Sequence, residues 1–103
     1  MSQHVRTVLG DVPADQLGIT LMHEHLFCDL TAYAEPPAQV TQRKLAQAKV
    51  DITNLGVLRR DPFAIWDNLV LDDFQIALEE IKRFKWAGGR TVVEVSCGGM
   101  GRD

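Results

Sequence analysis

The residues best suited to chemistry in this chain are two histidines, His23 and His25, which flank Glu24. Successive side chains of a β-strand point to opposite faces, so on a strand both imidazoles would project from the same side. Two imidazoles placed in this way can bind one borderline-soft cation such as Zn²⁺. On a helix the same spacing would separate them by roughly 200° around the axis. The triplet therefore predicts two metal ligands, provided that it lies on a strand.

The residues around the triplet favour a strand. Residues 19–26 begin with β-branched side chains and are mainly apolar, which predicts a largely buried strand. A shorter strand is predicted over residues 5–9, with a turn over residues 12–15. Further along the chain, the pattern predicts loops over residues 29–40 and 67–71. Between these loops it predicts one helix over residues 41–50 and a second short one that begins after residue 53 and ends at Asp61-Pro62.

The clearest helix is predicted over residues 73–87. Its apolar side chains recur at helical spacing and form one face: Phe74, Ala77, Leu78, Ile81 and Phe84. Gly88-Gly89 ends this helix, and β-branched residues predict another strand over residues 91–96. Strand, helix and strand in this order make a βαβ unit with two parallel strands. The predicted fold class is therefore α/β.

A longer string around the histidines is specific enough to suggest a family. The segment Gly-Ile-Thr-Leu-Met-His-Glu-His-Leu at residues 18–26 resembles the signature of the phosphotriesterase family, within the amidohydrolase superfamily. Segments in the same order along the chain also resemble phosphotriesterase-related proteins of this family: residues 5–10, 54–56, 58–63, 67–69, 87–93 and 101–103. The resemblance covers nearly the whole chain and corresponds to the N-terminal third of the family fold.

The resemblance implies the N-terminal fragment of a TIM (β/α)₈ barrel, with a leading β-hairpin and the first βαβ unit. Residues 1–103 would then form a single incomplete domain, because a complete barrel needs about 250 residues. The family carries a two-metal centre, usually Zn²⁺, and its first-strand histidines match His23 and His25. The other ligands, among them a carboxylated lysine, and the catalytic residues are expected beyond residue 103.

The implied enzyme is a zinc-dependent hydrolase that uses a metal-activated hydroxide. Its substrate would be a small molecule with an ester-type bond: a phosphotriester, a lactone or a related carboxyl derivative. A homodimer is a candidate assembly for the full-length parent. The 103 residues alone are expected to be inactive. The alternative is a non-catalytic truncated product or partner-dependent fragment with at most weak metal binding. A self-standing small α/β domain, in which the histidines only pack, is the third possibility.

Composition narrows the classes of partner and the cellular location that remain. The net charge is −3, and no basic stripe interleaved with aromatics is present, so no nucleic-acid partner is expected. No apolar run approaches the length of a membrane span, and no membrane partner is expected. Cys28 and Cys97 form no CxxC pattern, and the chain shows no secretory signal. These features predict free thiols and a cytoplasmic protein.

Other polar residues have structural explanations. Glu94 lies on the predicted second barrel strand, and a polar core or packing role is expected for it. His4 matches no ligand position of the family and is expected at the surface. Cys28 has no identifiable partner base, so it is interpreted as a buried thiol rather than a nucleophile. The glycines at positions 98, 99 and 101 predict a tight loop rather than a phosphate-binding loop.

Overall fold

The computed structural model describes residues 3–102. They form two compact units, and each is described separately. The first unit contains residues 3–26 and 74–95. The second unit contains residues 27–73 and 96–102.

The first unit opens with an antiparallel hairpin of strands β1 (His4–Thr7) and β2 (Gly10–Pro13). The turn lies at Val8 and Leu9, so the predicted strand over 5–9 is confirmed for residues 5–7 and ends two residues early. Of the predicted turn over 12–15, residues 12 and 13 belong to β2, and a 3₁₀ turn follows at Ala14–Gln16. The hydroxyl of Thr7 explains the early turn. It donates to the carbonyl oxygen of Gly10 at 2.8 Å and accepts from the N–H of Leu9 at 3.2 Å. Gly10 has a φ of 117°, a backbone conformation that is strongly disfavoured for residues other than glycine.

The βαβ unit that follows confirms the predicted parallel pairing. Strand β3 (Ile19–Glu24) pairs in parallel with strand β6 (Gly89–Glu94), and helix α3 (Phe74–Trp86) precedes β6. The helix lies within one residue of its predicted bounds at both ends. On its exposed face Lys82 and Arg83 form ion pairs with Glu79 and Glu80, one turn earlier.

The two parallel strands are less buried than predicted. No residue of β3 is fully buried, and Ile19 and Met22 expose 63% and 70% of their surface. In β6 only Gly89 is buried. Within this unit a two-stranded sheet and a single α-helix of 13 residues provide too little surface to cover both faces of the sheet. The prediction of a largely buried strand over residues 19–26 was therefore wrong for this structure.

The second unit contains the long segment between β3 and α3. It begins with β4 (Cys28–Asp29) and ends with β5 (Val70–Leu71), and these short strands pair in antiparallel fashion. We call residues 30–69, which lie between them, the excursion. It carries helices α1 (Val40–Ala46) and α2 (Leu55–Leu58). The predicted loops over 29–40 and 67–71 thus contain a strand pairing, and α1 is shorter than predicted.

The fully buried apolar side chains of the described residues all belong to this second unit: Cys28, Ala46, Ile65 and Leu69. The buried hydroxyl of Ser96 donates to the carbonyl oxygen of Phe27 at 3.0 Å. Burial of Cys28 agrees with its interpretation as a structural thiol. Both cysteines are free thiols, as predicted, although Cys97 is exposed.

Hydrogen bonds at the surface of the second unit hold its turns. The Nζ of Lys49 lies 2.6 Å from Oδ1 of Asp67, whose Oδ2 accepts from the backbone N–H of Val50 at 3.0 Å. This contact lowers the pKa of Asp67 and raises the pKa of Lys49, in both cases chiefly through the hydrogen bond between them. Residues 49–50 are thereby tied to the turn at position 67.

None of the helices between positions 3 and 102 combines the length and the apolar character needed to cross a lipid bilayer.

Candidate metal centre

The two histidines lie at the carboxyl end of β3. His23 is in the strand and is exposed, whereas His25 follows the last strand residue and is half-buried. Their ring centroids are 5.4 Å apart, and the ring planes meet at 72°. The structure therefore brings the two imidazoles to neighbouring positions, as expected from a strand. The strand itself ends at Glu24, two residues before its predicted end.

A β-bulge interrupts the regular pairing of β3 in the segment that carries His23. Leu21 pairs with Val92 and Glu24 pairs with Glu94, so three steps along β3 face two steps along β6. The extra residue therefore lies at Met22 or His23. A bulge increases the local twist and changes the direction of the side chains that follow, and bulges are frequent next to active sites.

Backbone and carboxylate groups flank the histidines. The N–H of Val95 donates to the carbonyl oxygen of Glu24 at 3.0 Å, which continues the pairing just beyond the end of the strand. Glu24 and Glu94 are opposite each other in the register, and both are half-buried. The polar role expected for Glu94 is consistent with this position. His4, the remaining histidine, is exposed on β1, as expected.

The donor set fits part of a zinc site. Imidazole nitrogen is a preferred ligand of Zn²⁺, but a zinc ion usually takes four ligands. Across residues 3–102, no three side chains of His, Cys, Asp or Glu are grouped so that they could hold a metal ion. The pair could therefore supply two ligands, and that assignment stays a prediction. The additional ligands and the catalytic residues, which were expected beyond residue 103, lie outside the described residues.

The glycine-rich segment after β6 forms a tight turn, as predicted. Gly98–Met100 is a single 3₁₀ turn, and Gly101 follows with a φ of 74°. A side chain at Gly101 would place its Cβ 3.3 Å from the Cβ of Asp29. The backbone conformation thus favours glycine, and a side chain here would also crowd Asp29.

Two features of the structure were not predicted. The bulge in β3 has no glycine or proline to indicate it, and only the register with β6 reveals it. The pairing of β4 with β5 was missed because each strand has two residues, too few for a periodic pattern.

The family described as "Phosphotriesterase family" matches residues 3–103. The chain belongs to the phosphotriesterase family. The resemblance found in residues 18–26 is thereby confirmed over almost the whole chain.

Similar proteins of this family are known by sequence and by structure. The N-acetyltaurine hydrolase of Xenopus tropicalis is 39% identical over 105 residues, which cover 100% of this chain and 30% of that protein. A phosphotriesterase-related protein of Drosophila willistoni is 34% identical and is matched over 96% of this chain and 29% of its own length. A resiniferatoxin-binding protein from Rhodobacter sphaeroides, a crystal structure, superimposes with a TM-score of 0.90 at 43% identity, over 97% of this chain and 28% of that one. The chain spans about 30% of the length of the curated relatives it matches.

Proposed function

We propose that this chain is the N-terminal portion of a metal-dependent hydrolase with a (β/α)₈ barrel fold, in which His23 and His25 bind one Zn²⁺ ion. The observation that carries the proposal is the 5.4 Å separation of the two imidazole rings at the carboxyl end of a parallel strand. Ligands in α/β barrels are held at that end of the strands. Membership of the phosphotriesterase family supports the same assignment.

The proposed chemistry is hydrolysis of an ester-type bond or a related carboxyl derivative. A zinc ion bound there would polarise the substrate oxygen and lower the pKa of a bound water, which makes a hydroxide available near neutral pH. The relatives named N-acetyltaurine hydrolase point towards an N-acyl amide, which is one such carboxyl derivative. This chain would contribute two imidazoles from one strand, whose end is tied to Val95 through the carbonyl of Glu24.

The 103 residues by themselves are proposed to have no hydrolytic turnover. Two ligands leave a zinc ion short of its usual four, and no third ligand is grouped with them in the part of the chain that the structure describes. A cytoplasmic location, supported by two free thiols, is part of the same proposal.

Metal binding by the histidines can be tested on the full chain by titration with Zn²⁺. The ring signals of each histidine are followed by nuclear magnetic resonance, and the affinity is measured by calorimetry. We expect the signals of His23 and His25 to shift together and to saturate. His23→Asn or His25→Asn should weaken Zn²⁺ binding by at least roughly 10-fold. Loss of a group that only hydrogen-bonds to a metal ligand already has an effect of that size. His4→Asn is the matched control and should bind like the wild type.

An equal response of all three histidines, or none at positions 23 and 25, would contradict the metal assignment. The hydrolase assignment has a separate test in the coding region beyond the codon for Asp103. A reading frame that continues and encodes a lysine and further histidines at strand ends supports it, whereas an immediate stop codon overturns the enzymatic interpretation. Metal-dependent esterase, lactonase or amidase turnover by the pure 103-residue chain would overturn the proposed inactivity.

A further inference from the structure

The excursion encloses a cavity that shares no residue with the histidine pair. Its volume is about 420 Å³, and it is bordered by the segment at residues 33–37, by α1 and by residues 57–64. Small-molecule sites usually have volumes of about 300–1,000 Å³ and are mostly apolar, with a few polar groups that orient the ligand. The size of this cavity fits a small molecule rather than a macromolecule.

Hydrogen bonds fix the borders of the cavity in place. The guanidinium of Arg43 on α1 donates to the carbonyl oxygens of Pro37 and Ala38, at 2.8 and 3.0 Å. On the other side, the N–H of Asp61 donates to the carbonyl oxygen of Val57 at 2.9 Å. These bonds hold the local backbone conformation of each border without a ligand. Preformed sites lose less free energy to ordering when a ligand binds.

Aromatic and aliphatic side chains provide the apolar part of the lining. Tyr33 and Phe63 line the cavity and expose 66% and 42% of their surface. Leu45 and Val57 contribute aliphatic surface and are half-buried. An apolar group placed between these side chains would remove exposed aromatic surface from water, which is favourable in proportion to the area covered.

Charges of both signs complete the lining. Arg60 contributes a guanidinium, and Glu35 and Asp61 contribute carboxylates. Asp61 Oδ1 accepts from the N–H of Phe63 at 3.0 Å, which fixes the orientation of this carboxylate. Within residues 3–102, neither Arg60 nor the two carboxylates form an ion pair. A guanidinium binds a carboxylate through two parallel hydrogen bonds, and a carboxylate binds an ammonium group.

We propose that this cavity binds a zwitterion, namely a free α-amino acid with an aromatic or large aliphatic side chain. The ligand carboxylate pairs with Arg60, the ammonium group with Glu35 and Asp61, and the side chain lies against Tyr33 and Phe63. All three charged residues are exposed, so a ligand that carries both charges gains hydrogen bonds from both signs, whereas a singly charged ligand gains them from one. The inference does not rest on the proposed hydrolase function, because no metal and no histidine takes part.

Calorimetric titration of the full chain with L-phenylalanine, in buffer containing a metal chelator, tests the inference. We expect saturable binding of one molecule per chain. The compounds 2-phenylethylamine and 3-phenylpropionate, which lack the carboxylate and the ammonium group respectively, should each bind on the order of 10-fold more weakly. Arg60→Gln should weaken phenylalanine binding by a similar factor. Arg60→Lys keeps the charge without the two-pronged geometry and should give an intermediate affinity.

Arg59→Gln is the matched control, because Arg59 is an exposed arginine next in sequence and does not line the cavity. It should bind phenylalanine like the wild type, and amide spectra of all variants should show an unchanged fold. Absence of saturable binding by the wild type overturns the inference. So does equal binding of either singly charged analogue, or an equal effect of Arg59→Gln and Arg60→Gln. Loss of zinc binding in the histidine variants would leave these results unaffected.

Discussion

Replacing Gly89 with alanine should destabilise the first unit. Gly89 is the buried first residue of β6, and it lies against the ring of Phe84 on α3. An added Cβ would lie 2.2 Å from Cε2 and from Cζ of that ring, and 2.4 Å from Cδ2. Carbon atoms in contact prefer separations of about 3.5–4.0 Å, so the ring or the strand has to move by more than about 1 Å.

The expected cost follows from the size of this overlap. Inserting a methyl group into packed surroundings typically costs about 1–3 kcal/mol. Phe84 belongs to the apolar face of a 13-residue helix, so its ring cannot move away without disturbing the packing of α3 against β6. For a domain of this size, each 1 kcal/mol lowers Tm by about 4–8 °C. Gly89→Ala should therefore lower Tm by at least about 4 °C.

Gly56→Ala provides the matched control. Gly56 lies in α2, and a Cβ added there would have no heavy atom within 4 Å. Alanine at this site should leave stability unchanged or raise it by about 0.5–1 kcal/mol, because glycine loses more conformational freedom in a helix. Urea unfolding followed by circular dichroism gives the free energies, and amide hydrogen exchange locates the effect. The reasoning is refuted if Gly89→Ala unfolds like the wild type, or if exchange of the β6 amides is unchanged.

Two further substitutions test individual hydrogen bonds. Because the pKa of Asp67 is lowered by its bond with Lys49, the charged carboxylate stabilises the fold above the ordinary pKa of about 3.9, and this stabilisation is lost as the pH falls through the lowered value. Asp67→Asn should therefore reduce stability at pH 7 and make the loss of stability in acid less steep, as measured by urea unfolding midpoints between pH 2 and 7. If the midpoints of the variant and the wild type fall in parallel with pH, this reasoning is contradicted. Thr91→Val removes the 2.6 Å hydrogen bond from the Thr91 hydroxyl to the carbonyl oxygen of Leu17, and it should lower the free energy of unfolding by about 1 kcal/mol. The control Thr41→Val changes an exposed threonine and should lower it by less. Equal losses of stability in the two variants would count against the assigned bond.

The strongest sequence signals corresponded to elements held by local interactions. Helix α3 was predicted within one residue because its apolar side chains recur over three turns and the glycines at 88 and 89 end it. The β-branched residues 91–93 indicated β6, and strand, helix and strand in succession required parallel pairing. The helix and strand predictions used information contained within a short window of the chain, and the order of the elements predicted the pairing.

The errors arose where distant or single contacts decide the structure. The hairpin turn lies at Val8 and Leu9 because one hydroxyl, on Thr7, bonds to the N–H of Leu9 within the turn and to the carbonyl oxygen of Gly10 just after it. Burial of β3 was overestimated because an apolar sequence shows which side chains favour burial and does not show whether other elements cover them. Ile19 and Met22 are the clearest examples, since both remain mostly exposed.

The neighbouring positions of the two histidines were predictable from the sequence, whereas the irregular pairing of the strand that carries them was not. Alternation along a strand was sufficient to predict that His23 and His25 would be neighbours. It could not predict the extra residue between Leu21 and Glu24, because a bulge depends on the partner strand as much as on its own sequence. The cavity of the excursion was not predicted at all, since its lining comes from three separate segments.

The pairing of β4 with β5 affects how readily the length of the segment between them can change. Cys28 and Asp29 pair with Leu71 and Val70, so the segment of roughly forty residues between them begins and ends at neighbouring positions. The entropy of closing a loop grows only with the logarithm of its length, and ten additional residues would cost about 0.2 kcal/mol. Insertions at exposed positions of the segment, away from the buried Ala46, Ile65 and Leu69, should thus cost little stability through loop closure.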